Sequence, residues 1–388
     1  MEQVYLAHQT EYGTEPAAVV SAPGRIHLLG EHSWYFKDKT LSAAINLPVS
    51  VAISTRNDQS LRFLFVQLIE RKRLSLASFK YRKEDRWANA CKAVLYSFLE
   101  AGFECSGLNF TIYSDIAPSA GFGITTAIKV ATAGALRAIL APSVSNEQLV
   151  LFIEKGNKAF LGINSFISDI YTVMFAKKDH FLLSDYNNSS FSYVPFNFED
   201  KCIILTDSKV PRVSVWNEDS LWKAEYACLL GDLKVRKNGT IVYEDSDVEI
   251  NEVLSVVKED YRRRLICIMK EQHRLQDALN ALKNNNFSGF AKAVSHSHEL
   301  LRDLFSISCP EIDWLVRRVQ ENDLLHGKPL SACARITGKG FGRVTYTILP
   351  KQDEETYYKK LNEYERIFGF HPVCYKVNTA NGMTIKEK

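Results

Sequence analysis

What most constrains this chain is the order of its segments: strand-like and helix-like runs are intermixed without regular alternation. That pattern favours an α+β architecture over a doubly wound sheet. An apolar run from Val19 to Ile26 reads as a strand entering a tight turn at Pro23-Gly24, and a second strand spans Leu47 to Ser54. Trp87 to Phe103 reads as a helix, because Trp87, Ala90, Cys91, Val94, Leu95, Phe98 and Leu99 share one face and Gly102 supplies a stop. Leu108 to Tyr113 alternates as a strand. Ala117 to Gly123 is then a loop of small residues opening into a helix, and Ser145 with Gln148 forms a capping-box start for the next one. The pattern returns to strand at Phe198 to Asp207, is helix-rich from Val253 to Phe305, and reverts to strand at Ala334 to Leu349 and near Pro372 to Ile385.

A length of 388 residues exceeds one ordinary core, and two domains, 1–197 and 198–388, are expected. Charge is nearly balanced, 48 Lys+Arg against 45 Asp+Glu, so the basic footprint of a nucleic-acid partner is missing. Hydrophobic residues at 46% supply a large core and exclude disorder as the main state. The first residues lack the basic start and apolar run of a signal peptide, and no apolar stretch approaches the roughly 20 residues of a membrane span. Eight cysteines without a CxxC suggest neither a zinc ribbon nor a disulfide framework. A cytoplasmic protein with no membrane partner is expected.

Three segments carry candidate chemistry. Ser21 to His32 packs Arg25, Glu31, His27 and His32 after a strand; an Arg fork holds phosphate or carboxylate, while Glu and His bond hydroxyls. A turn with a structural Arg–Glu pair explains the same residues. Pro118 to Thr126 lets backbone N–H groups approach a phosphate at a helix start, although tight packing also selects small residues. Ala334 to Arg343 holds three glycines at two-residue spacing, which suits close backbone approach or simply a hairpin bend. His296-Ser297-His298 reads as scaffold and Arg262-Arg263-Arg264 as a solvated helix face.

Taken together, the first and third segments resemble the galactokinase signatures GR(V/I)NLIGEH and TGxGFGG, shared with the wider GHMP small-molecule kinases. Trp87 to Val94 is similar to the family's W-A-N-Y-x-K-G-V helix, and Ser297 to Asp303 with Ile307 to Asp313 to its SHxSLRD…SCPELD run. The resemblance implies a two-domain fold: an S5-domain-2-like mixed sheet with helices, then an antiparallel sheet with helices, with the active site in the inter-domain cleft. It further implies transfer of the ATP γ-phosphoryl group to the anomeric hydroxyl of a monosaccharide, with Mg2+.

By the same resemblance, Arg25 stabilises the reacting oxygens, and Asp169, within Gly162 to Tyr171, takes the catalytic aspartate position. Glu31, His32, Trp34 and Asp219 fall on sugar-binding positions, and Ser119, Gly121, Gly123, Thr125 and Thr126 on the nucleotide loop. The metal positions are Asn157, Glu154 and Thr125. The departures cluster on the chemistry. Trp34 stands where the family has Asp, and an indole N–H only donates. Ile124 falls on a serine position, Asn157 on the magnesium-binding glutamate, and Arg343 on a glycine. These changes leave a second expectation beside the sugar kinase: a catalytically weakened relative that senses a ligand or engages a protein partner.

Overall fold

The structure is a computed structural model. It describes residues 1–117, 121–211, 224–237, 239, 241, 243–338 and 343–386, with the backbone alone for Trp34, Tyr35 and 224–227. In chain order the helices are α1 (Glu2–Tyr12), α2 (Ala88–Glu100), α3 (Ile124–Leu140), α4 (Asn146–Lys155), α5 (Ile167–Phe175), α6 (Ala224–Arg236), α7 (Val248–Ser255), α8 (Glu259–Lys283), α9 (Phe287–Leu300), α10 (Pro310–Leu325) and α11 (Glu354–Phe368). The strands are β1 (Ala18–Leu29), β2 (Lys39–Thr55), β3 (Ser60–Phe65), β4 (Glu70–Ser75), β5 (Leu108–Ser114), β6 (His180–Asp185), β7 (Ser190–Pro195), β8 (Lys201–Asp207), β9 (Cys333–Ile336), β10 (Val344–Pro350), β11 (Val373–Val377) and β12 (Thr384–Ile385). Helices and two mixed or antiparallel sheets make an α+β fold. Among the described residues no helix is long and apolar enough to cross a membrane.

Two compact units emerge, each built from separated stretches of chain. The first holds Met1–Arg25, Ala44–Lys178 and Thr379–Lys388. Its sheet runs β12-β1-β2-β5-β3-β4. β2 pairs antiparallel with β5 from Val49↔Ser114 to Thr55↔Leu108, β5 runs parallel to β3, and β12 closes the edge through Val20↔Ile385. Side chains alternate across a pleated strand, so Phe63 and Phe110 reach the same face and stack with centroids 4.6 Å apart. α2 carries its buried face through Cys91, Val94, Leu95 and Phe98. The capping box at Ser145 is complete: Ser145 Oγ accepts from Gln148 N, and the Gln148 side chain accepts from Ser145 N.

The Pro23-Gly24 turn is not there. β1 runs straight through both residues to Leu29. Glycine is needed at 24 for proximity: a Cβ would meet Ile116 Cδ1 at 3.0 Å, the Leu47 carbonyl at 3.0 Å and the Phe122 carbonyl at 3.1 Å. That closeness lets Arg25 N donate to Phe122 O at 2.9 Å, tying the small-residue loop to the strand.

The second unit holds Ile26–Ala43 and Asp179–Asn378. The start of β2 pairs with β6, and β6 with β7. A separate antiparallel sheet runs β11-β8-β10-β9. Its core gathers Leu265, Ile268 and Met269 of α8 with Leu301, Phe305, Ile307, Ile312 and Ile336.

Candidate active site

In the first unit the chemistry begins where β1, α3 and α5 meet. Asp169 lies in the first turn of α5, and its Oδ2 accepts from Arg25 Nη2 at 2.6 Å. Both side chains are nearly buried, at 11% and 7% exposure, so the pair works in a poorly screened environment. Arg25 Nε is buried and has no partner among the described residues, which leaves a donor for an incoming anion.

Against this arginine lies the start of α3. Gly123 has φ +78°, and a Cβ there would stand 2.9 Å from Arg25 Cγ. Glycine therefore satisfies both a left-handed backbone and a close approach. It also gives α3 no side-chain N-cap, so among the described residues the first-turn N–H groups have no capping acceptor at the positive end of a 17-residue helix. Thr125 is exposed in that turn and Thr126 half-buried, while Gly121 is exposed at φ +84°. Ser119 lies outside the described residues.

One turn further along α3, Lys129 is 4% exposed, and its Nζ donates to Asn157 Oδ1. Asn157, itself buried in the wide helical turn after α4, donates from Nδ2 to Ser165 Oγ at 3.0 Å. Burial lowers the Lys129 pKa to about 8, with the charge of Asp169 pulling the other way. Glu154 is half-buried; burial raises its carboxyl, and it makes no hydrogen bond or ion pair among the described residues. Among the described residues no group of three His, Cys, Asp or Glu could hold a metal ion.

A cavity of about 450 Å³ opens beside this helix start, with Thr125 and Lys129 on one side and Phe65, Tyr81, Trp87 and Arg86 among its other walls. Trp87 Nε1 donates to Glu70 Oε2 at 2.7 Å, which fixes the indole. Aromatic walls with convergent cations and hydroxyls suit a flat, anionic ligand.

In the second unit, Glu31 and His32 are both buried, at 0% and 1% exposure. The Glu31 oxygens accept from Arg335 Nη1 and Nη2, each at 2.8 Å. Arg335 also donates to Glu271 Oε1, to Ser297 Oγ and to its neighbour's carbonyl at Ile336. Burial alone would raise the Glu31 carboxyl, but the guanidinium outweighs it and holds the pKa at about 2. The carboxylate expected to bond a sugar is thus committed to a structural ion pair, and Ser297 of the supposed scaffold run serves that pair. His32 packs its ring 4.2 Å from Phe305. Arg343, the departure at the end of the third segment, clamps Asp207 through Nε and Nη2, and Lys209 adds a second cation. The Trp34 side chain, Asp219 and the glycines at 340 and 342 lie outside the described residues.

Sequence reasoning missed Lys129, Arg86 and Arg335. For Lys129 a signal existed: it shares an α3 stripe with Thr132, Ala133 and Leu136, where a lysine is out of place.

Residues 6–55 match the galactokinase galactose-binding signature, and residues 89–177 match the GHMP kinases N terminal domain. A Treponema pallidum (strain Nichols) protein named "Putative galactokinase" is 39% identical over 386 residues, covering 99% of this chain and 96% of its own. A galactokinase of Thermotoga maritima is 29% identical over 365 residues, covering 94% and 99%. Among solved structures, Lactococcus lactis galactokinase complexed with galactose superposes with a TM-score of 0.81 at 20% identity, covering 99% of both chains. Mevalonate kinase of Methanococcus jannaschii gives 0.65 at 18%, covering 94% and 98%. With a relative of that identity along almost its whole length, the chain belongs to the galactokinase family of GHMP kinases.

Proposed function

We propose that this protein transfers the γ-phosphoryl group of ATP to the anomeric hydroxyl of a monosaccharide, with galactose the first candidate. The observation that carries the reading is the Arg25–Asp169 pair, nearly buried and set against the open start of α3. Phosphoryl transfer asks the protein for positioning and charge stabilisation more than for covalent chemistry. Asp169 orients the attacking hydroxyl and accepts its proton as the new O–P bond forms and the bond from the γ-phosphorus to the departing ADP breaks. Arg25, with one guanidinium edge on Asp169 and Nε unpartnered, stabilises the oxygens of the transferring group. The α3 N–H groups with Thr125 and Thr126 receive the phosphates. The aromatic cavity at Trp87 and Tyr81 takes the adenine. Glu31, held by both Arg335 Nη atoms, acts here by fixing the chain after β1.

The divalent cation that the family implies fits poorly at Asn157, which stands where the family has a glutamate. The Asn157 amide oxygen already accepts from the Lys129 ammonium. A double charge placed 4 Å from an ammonium would meet a repulsion of about 8 kcal/mol at an effective dielectric of 20. Asn157 is therefore a partner of the Lys129 ammonium and not a metal ligand.

The test is ATP turnover over a hexose panel, with phosphorus NMR of the product. A sugar 1-phosphate formed by the wild type, and reduced about 10²–10⁴-fold in Asp169→Asn, supports the reading. Turnover unaffected by Asp169→Asn, or none on any sugar, removes it. Calorimetry with ATP and Mg2+ separates the weakened-relative reading: micromolar binding argues against a dead nucleotide site, and silence up to millimolar levels supports one.

A further inference from the structure

Among its described residues the first unit buries two lysines, and they are treated differently. Lys92 is 1% exposed and fully accommodated: Nζ donates to Asp85 Oδ2 at 2.6 Å and to the Lys80 carbonyl at 2.5 Å. It also lies 5.9 and 5.6 Å from the Phe79 and Phe160 ring centroids. Lys129 is 4% exposed and has one neutral partner, the Asn157 amide. No carboxylate pairs with it directly among the described residues; Asp169, whose charge it feels, is held by Arg25. A buried ammonium without a counter-ion is costly, and proteins rarely leave one so. The counter-ion must then come from outside. Lys129 lines the cavity beside the open end of α3, together with Thr125 and Arg86. An ammonium, a hydroxyl and helix N–H groups, with the Arg86 guanidinium nearby on Glu70, suit a polyphosphate.

We propose that Lys129 is the resident cation of the nucleotide site, neutralising the polyphosphate where a protein-coordinated divalent ion would otherwise do so. The inference rests on the kinase reading above and names how that site handles charge. Asn157 has a part in it: its oxygen orients the ammonium, while its Nδ2, donated to Ser165, fixes the amide the right way round. A carboxylate at 157 would consume the lysine charge; a neutral amide aims it and leaves it available to the ligand. Accordingly the protein binds metal-free nucleotide about as well as the metal complex.

The experiment is calorimetric titration of the full chain with the non-hydrolysable analogue AMPPNP, once in excess EDTA and once in excess Mg2+. In the wild type the two dissociation constants are expected to differ by less than about threefold. Lys129→Met, which keeps the volume, is expected to weaken binding in EDTA by roughly 30-fold or more, the order for losing one side of a buried charge pair. Lys129→Arg is expected to recover part of it. Lys129→Met should also raise the melting temperature of the unliganded protein, since it removes an uncompensated buried charge; a lysine kept for stability would lower it. Wild-type binding that Mg2+ tightens tenfold or more, or a Lys129→Met protein that binds normally in EDTA, overturns the inference and leaves the kinase reading standing. No binding of AMPPNP under either condition overturns both.

Discussion

Arg25 and Asp169 lie 144 positions apart in sequence, yet a single 2.6 Å contact joins them. Truncating one member tests function and packing together. On the proposed reading, Arg25→Met removes the donor assigned to the reacting oxygens, and kcat should fall by about 10²–10³-fold. It also strands the Asp169 carboxylate in a nearly buried position, costing about 3 kcal/mol, the low end for a broken buried pair because some solvent reaches it. Steady-state kinetics with urea unfolding checks both numbers; an unchanged kcat would show that the pair only packs. Both residues were legible because each sits within a motif whose neighbours could be matched. Glu31 sits in an equally clear motif, but its commitment was hidden: its partner Arg335 is 304 positions away and shows in the sequence only as one arginine before a glycine-rich bend. Lys129 was hidden differently. A helix stripe tells which way a side chain points, while its meaning depends on Asn157, which another helix supplies.

At the scale of elements, the segments with strong periodicity were readable and those without it were not. α2 and the capping box at Ser145 declare themselves through spacing and cap chemistry. α1 does not, because only Val4 and His8 are buried and Leu6 is 53% exposed. Two residues cannot mark a stripe. The helix is held instead by His8, whose Nδ1 lies 2.9 Å from Thr111 Oγ1 on β5 and whose Nε2 lies 2.9 Å from Ser54 Oγ on β2. This makes its attachment sensitive to acid. Burial lowers the His8 pKa to about 4 from 6.5, so the unfolded chain takes up its proton first as pH falls. The stabilisation is complete above pH 6.5, declines between 6.5 and 4, and is gone below 4; in full it amounts to about 3 kcal/mol. His8→Gln should flatten that part of the profile. The difference between wild-type and His8→Gln unfolding free energies, measured in urea at pH 7, 5.5 and 4.5, is expected to shrink steadily with acidity. A constant difference would mean that His8 titrates normally. Pro23-Gly24 misled for a related reason: the pair commonly marks a turn, and only contacts from β2 and the loop before α3 show that glycine is there to let chains touch.

At the scale of the molecule, the family and its α+β class could be read because ordered motifs extend along nearly the whole chain. The interleaving of the two units could not, since it depends on where distant segments pair. The last residues illustrate this: Thr379–Lys388 return to the first unit after some 200 residues spent in the second. There Ala380 N donates to Ala44 O, Gly382 N to Ala176 O, Met383 N to Met174 O and Lys386 N to Val19 O, while Asn381 Oδ1 accepts from Lys178 N. Met383 also packs where Gly134 of α3 has no side chain. At roughly 1 kcal/mol per net hydrogen bond, these contacts supply several kcal/mol to one unit alone. Deleting 379–388 should therefore loosen the first unit selectively. Cysteines report which unit opens: Cys91 is buried in the first, Cys267 and Cys333 in the second, and burial raises all three thiols and keeps them inert. In the deletion variant, Cys91 is expected to become labelled by a thiol reagent well before Cys267 and Cys333, as read by peptide mass spectrometry, with AMPPNP binding lost. Because α3 and α5 belong to the loosened unit, the Arg25–Asp169 site should fail with it. Simultaneous labelling of all three would show that the units unfold as one, and protection of Cys91 would show that the returning segment is dispensable.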